Sequence, residues 1–263
     1  MIAENYRQKA DELNTQWKRE KDEEPIYKSG ENSQANNFIF DGIANPDEWY
    51  KQDIRPLFIL KEAYNKSTSD DEWNEIDFFL SNTISLPGRP KGVIASKYKT
   101  WRVLCCWASY IFSQNYDTQI TWENENLRKI ALINIKKYGG QNPSSNKDLQ
   151  KHAKKHANLI IEQIKLIKPT IIICGYTGWL MDIVWEEIFK EKARKNKKNG
   201  RVYDIVIPEQ EEIRLIDFWH PASRTPHRDD FIADIDAAMG WLPSPYLRSN
   251  EEPQNEDEFN ECK

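Results

Sequence analysis

The sequence predicts an α/β fold, a three-layer α/β/α sandwich around a central, mainly parallel sheet of about four strands. Two observations carry that prediction. Short runs such as Leu57-Phe58-Ile59-Leu60 and Ile171-Ile172-Ile173-Cys174 are apolar at every position, the pattern of strands covered by helices on both faces. These runs alternate with segments of helical apolar period, and strands joined by right-handed helical crossovers build a parallel sheet.

Each element follows from its local pattern. Tyr6, Ala10, Leu13 and Trp17 recur at helical spacing in a charged segment, which predicts an amphipathic helix over about 3–20 that packs on the body. Residues 28–37 are polar and form a loop, and 38–43 form a short strand or an apolar anchor. The first strand runs over 56–61, a short helix over 71–80, and a Gly/Pro-rich basic loop over 86–92. A mostly buried helix follows over 100–113, a second strand over 129–135, a polar loop over 136–146 and a long helix over 147–167. A third strand, 170–174, ends at Gly175, and a helix over 177–193 has a very basic exit. Strands over 201–207 and 213–218 lead to a closing helix over 228–241, with Pro243 just beyond it. The division is an N-terminal helix (1–24), a body (25–246) and an acidic tail (247–263) too poor in apolar residues to order itself.

The chain has 263 residues and a net charge of −5. The acid sits at the ends, −2 over residues 1–24 and −4 over 247–263, leaving the body at +1. A near-neutral body with local basic patches is compatible with a polyanionic partner, because attraction depends on local phosphate contacts. Cys105, Cys106, Cys174 and Cys262 form no C-x-x-C pair, so neither a zinc site nor a disulfide framework is expected, and the reading is a reduced, soluble, cytoplasmic protein. There is no apolar stretch near the roughly 20 residues that span a bilayer, and no Gly-rich phosphate loop.

Three strand ends carry chemistry. Lys61-Glu62-Ala63-Tyr64-Asn65 follows the first strand, Asn134-Ile135-Lys136-Lys137 closes the second, and Trp219-His220-Pro221-Ala222-Ser223-Arg224 follows the last. In a parallel sheet all three lie on one edge, where open α/β sheets bind ligands. Taken alone, the last segment has two readings, a ligand-handling loop or a plain strand end at which Pro221 terminates the strand and His220 packs beside Trp219. The combination resembles the uracil-DNA glycosylase superfamily over residues 55–228, with an acid-containing motif, an Asn, and a His-Pro-Ser-type motif in that order.

The resemblance implies a monofunctional DNA N-glycosylase that flips a uracil-like or modified base and hydrolyses its glycosidic bond, in repair or defence, with no cofactor or metal. Glu62 would orient water and stabilise a cationic sugar. Asn134 would read the base edge through its amide, Tyr64 would shape the pocket wall, and His220 would hold the departing base as an anion. Ser223, Arg224 and His227 would contact or wedge the DNA, and Lys136 and Lys137 its phosphates. Trp73, Phe78 and Phe79 are candidates for the aromatic that stacks on the base. Lys61, Tyr64 and Asn65 replace the glycines and proline common in the first motif, which motivates an alternative: a non-catalytic module recognising modified or foreign DNA with the same pocket.

Two further features have plainer readings. His152 and His156 share a helix face among lysines, a solvated basic face rather than a metal site. Lys190 to Arg201 holds seven bases and one acid, a flexible solvated loop, whereas the group at Lys136, Lys137, Lys147, Lys151, Lys154 and Lys155 is the better phosphate contact.

Overall fold

The continuous apolar runs become the middle of one sheet in the computed structural model, which describes residues 2–22, 38–62, 73–81, 98–116, 125–137, 145–223 and 227–241. In chain order the elements are α1 (Ile2–Asp22), β1 (Ile39–Phe40), β2 (Gly42–Ile43), α2 (Pro46–Trp49), β3 (Pro56–Glu62), β4 (Trp73–Asn74), α3 (Glu75–Ser81) and α4 (Lys99–Ser113). Then follow β5 (Ala131–Lys136), α5 (Asn146–Lys155), α6 (Ala157–Ile167), β6 (Ile171–Gly175), α7 (Gly178–Phe189), β7 (Asn196–Asn199), β8 (Val202–Val206), β9 (Glu212–Phe218) and α8 (Arg228–Met239).

The sheet has seven strands rather than about four, in the order β2-β5-β3-β6-β9-β8-β7. Its centre, β5-β3-β6-β9, is parallel, while β2 and the β7–β8 hairpin add antiparallel edges. Two of the added strands fall where strands were expected, β8 within 201–207 and β2 within 38–43, but β7 escaped prediction for a physical reason. A fully covered strand is written in apolar residues, whereas β7 is Asn-Lys-Lys-Asn with every residue exposed.

Strand side chains alternate between two cores. Leu57, Ile59, Ile133, Ile172 and Leu215 face α1, α5, α6 and α7, whereas Phe58, Leu60, Leu132, Ile173 and Ile216 face α4 and α8. Period-two alternation with both faces covered is what makes these strands apolar throughout. In the second core Trp107 of α4 stacks on Phe231 of α8 at 4.6 Å and meets Phe218 edge-on at 5.4 Å.

Helix α1 is part of the body. Its apolar stripe buries Tyr6 and Trp17, and the Tyr6 hydroxyl accepts the Ile43 N–H at 2.9 Å. Gly42, at φ +143, permits that approach, since a Cβ there would stand 2.4 Å from the Tyr6 oxygen. The long helix predicted over 147–167 is two helices, broken at His156 (φ −101, ψ 21). The cause is tertiary: His156 Nδ1 sits 3.1 Å from Glu20 Oε2, and its ring packs on Trp17 at 4.8 Å. His152 and His156, their rings stacked at 5.8 Å, are therefore buried rather than solvated. The helix predicted to 193 ends at Phe189, where Lys190 takes a left-handed conformation (φ 59). Among the described residues no helix is long and apolar enough to cross a membrane. The acidic tail lies outside the described residues.

Candidate active site at the carboxyl edge of the sheet

Strand order locates the crevice. After β3 the chain crosses through α4 on one face to β5, whereas after β6 it passes α7 on the other face before reaching β9 on the opposite side. Connections thus diverge between β3 and β6, the switch point where open sheets leave a crevice beyond the strand ends. Lys61, Glu62, Gly175 and Tyr176 flank it. A Cβ on Gly175 would lie 2.7 Å from Leu60 Cδ2 and 3.1 Å from Pro221 Cδ, so the glycine marks where these three strand ends approach one another.

His220 stands at the end of β9, partly buried. The Ala222 N–H donates to His220 Nδ1 at 3.1 Å, and the Ser223 N–H donates to the His220 carbonyl at 2.8 Å. With Nδ1 accepting, the neutral imidazole carries its proton on Nε2. Burial, and secondarily the Lys61 charge, push its pKa down to about 4. His220 is therefore a neutral hydrogen-bond donor at physiological pH. Ser223 itself is tied back by the Lys99 ammonium, which donates to its carbonyl.

Beside His220 lies a residue the sequence reading missed. Tyr176 is bulky yet left-handed (φ 60), a conformation that costs about 1–3 kcal/mol and persists only where neighbours impose it. They do: its N–H is shared between the Cys174 carbonyl at 2.9 Å and the Phe218 carbonyl at 2.7 Å. Tyr176 is 46% exposed, with Lys61 Nζ 4.3 Å from its ring centroid, a cation–π contact. Burial depresses the Lys61 ammonium's pKa. The trace of Tyr176 in the sequence is an aromatic placed directly after the strand-terminal Gly175. Trp219, 40% exposed, stacks on His227 at 4.7 Å, extending the aromatic rim, and His227 also pairs with Asp230 at 3.5 Å.

The second and first strand ends form a buried polar cluster. In register, Leu60 faces Asn134 and Glu62 faces Lys136. Asn134 is 1% exposed; its backbone N–H donates to Asp41 Oδ2 at 2.8 Å and its amide N–H to Glu75. Asn134 Oδ1 is buried with no hydrogen-bond partner among the described residues. Burial, reinforced by Asp41 and opposed by Asn134 and Lys137, pushes the Glu75 carboxyl up to about 8, so it is protonated at neutral pH. Glu75 was not a sequence candidate, since an acid at a helix start reads as a cap.

Lys136 and Lys137 do not present charge to solvent. Lys137 is ion-paired with Asp41, both side chains 1% exposed, and Lys136 Nζ lies 2.6 Å from Asp148 and 3.8 Å from Glu62. Phosphate contact by these two lysines, as expected from their position after a strand, would require breaking buried pairs. The structure brings Glu62 with Asn134, and His220 with Ser223 and His227, onto one edge. Three interstrand steps of about 4.8 Å separate β5 from β9, so Asn134 and His220 belong to opposite flanks roughly 14 Å apart. Tyr64 and Arg224 lie outside the described residues, as do the side chains of Trp73, Phe78 and Phe79.

Comparison with protein-family models finds no match, and comparison with curated proteins finds none. What fold and site together define is an α/β protein with helices on both faces of a mostly parallel sheet. Its polar and aromatic residues are gathered at the carboxyl ends of the central strands.

Proposed function

We propose that the chain is a DNA glycosylase of the uracil-DNA glycosylase type, acting in the cytoplasm on a flipped uracil-like or modified base in repair or defence. The observation that carries the reading is His220: a neutral imidazole, its tautomer fixed by the Ala222 N–H, with Nε2–H left as donor beside an exposed aromatic. As the bond from C1′ to the base nitrogen breaks, its electron pair passes to the base, and charge develops on a ring carbonyl. A preorganised donor there lowers the barrier. Water adds to C1′, loses its proton, and the base is later protonated. Glu62 supplies the carboxylate that orients the water and faces the cationic sugar. Asn134 Oδ1 accepts from the base N–H, and Tyr176 offers the stacking face that a flipped base uses.

Incubation with diverse genomic DNAs, including heavily modified ones, should release a free base detectable by mass spectrometry. Glu62→Gln should slow release while DNA binding persists; equal rates remove Glu62 from the mechanism. One observation favours a second reading, non-catalytic recognition of modified or foreign DNA. The Asn134 amide is held by Glu75 and Asp41, and the Glu62 carboxylate faces Lys136, an arrangement suited to holding rather than turning over. Tight binding with no released base across the same panel would select it.

A further inference from the structure

The segment that reads as a flexible basic loop is an ordered hairpin aimed at the site edge. Strand β7 runs toward the carboxyl edge, turns through Gly200 and Arg201, and returns as β8 against β9. Val202 pairs with Ile216, and the Asp217 N–H donates to the Arg201 carbonyl at 3.0 Å. The turn is therefore level with Asp217 and Phe218, two to three residues before His220. Pairing shifts between Lys197 and Asn199, which makes Lys198 the extra residue of a bulge, a device that re-aims side chains near functional edges.

The charges at this hairpin divide sharply. Arg194 is engaged with Asp182 and Asp217, and Arg201 with Asp234 at 2.6 Å and Asp230 at 3.4 Å. Lys197 and Lys198 are exposed, and neither has an ion-pair partner among the described residues. With Lys136 and Lys137 withdrawn into ion pairs on the β5 flank, Lys197 and Lys198 place exposed cationic charge on the β9 side of the site.

We infer that the β7–β8 hairpin is a phosphate-contacting arm, in which Lys197 and Lys198 hold the DNA backbone flanking the nucleotide presented to His220. The inference rests on the DNA reading above. Two interstrand steps put β7 about 10 Å from β9, on the order of three nucleotides at ~3.4 Å of rise per strand position. Exposed lysines on an edge strand also block pairing between copies, and that role must be separated from phosphate contact.

Charge reversal separates them, because Lys197→Glu/Lys198→Glu keeps charge on the edge. Anisotropy titrations of a labelled oligonucleotide across a salt series should show the double variant binding about tenfold more weakly at low salt. The slope of log K against log salt should fall by roughly 1.4–1.8, two phosphate contacts at ~0.7–0.9 each. The matched reversal Lys9→Glu/Lys51→Glu, on exposed positions of α1 and of the turn after α2, should change the slope little. Unchanged affinity and slope in the hairpin variant overturn this inference alone, as does an equal loss in the matched control. Absence of any DNA binding by the wild-type chain overturns the functional reading itself.

Discussion

Removing the Asp41 carboxylate should unfasten the second flank of the site. In Asp41→Ala the Lys137 ammonium, 1% exposed, loses its counterion; the Asn134 N–H at 2.8 Å and the Gln163 amide at 2.9 Å lose their acceptor. Breaking a buried ion pair from one side costs about 3–5 kcal/mol. In a domain of this size that lowers the melting temperature by on the order of 10 °C. Burial already lowers the Lys137 pKa, with Asp41 as the chief opposing influence. Without Asp41 the folded chain holds that proton still less well than the unfolded chain. Stability then rises with pH, and the deficit is larger at pH 6 than at pH 9. The double variant Asp41→Asn/Lys137→Met removes both charges and keeps an acceptor, so it should return to within about 1–2 kcal/mol of wild type. Urea unfolding followed by tryptophan fluorescence reads all three. A loss below about 1 kcal/mol for Asp41→Ala, or a double variant no better than the single, refutes the reasoning.

Two titrations test the rest of the site. Glu75, raised from an ordinary 4.5 to about 8, keeps in the folded state a proton that the unfolded chain has released; its contribution is full below about pH 4.5 and is lost as pH rises through 8. Glu75→Gln, neutral throughout, should flatten the decline in stability between pH 5 and 8, and superimposable pH profiles for variant and wild type would rule out a protonated Glu75. Lys61→Gln removes the smaller of the two causes that hold His220 near 4. Its imidazole midpoint, followed by proton NMR, should rise toward but not reach 6.5, with any acid limb of activity moving alongside; an unmoved midpoint dissociates Lys61 from His220.

Much of this was legible in the chain because burial writes itself into composition. Leu57 to Leu60 and Ile171 to Cys174 are apolar at every position because helices cover both faces, and the same runs fix where the polar strand ends must fall. Strand β7 was not legible by that signal, since an exposed edge strand has no apolar face to declare. Its one local mark, the Asn199-Gly200 pair, is a hairpin-turn dipeptide inside what otherwise reads as a charge run. The break at His156 was equally hidden, because the local sequence favours one helix and only contact with Glu20 and Trp17 interrupts it.

At the site, residue identity and residue state came from different sources. The chain alone set Glu62, Asn134 and His220 at the ends of three strands of the parallel centre, β3, β5 and β9, and parallel strands present their carboxyl ends on one edge. Tertiary structure alone decided that His220 is a neutral donor, that Tyr176 is held left-handed beneath Lys61, that Glu75 retains a proton, and that Lys136 and Lys137 are buried in ion pairs while Lys197 and Lys198 face solvent. Protonation and exposure depend on the dielectric and on partners distant in sequence, Asp41 with Lys137 and Lys61 with His220 among them, and no local pattern of residues encodes those neighbours.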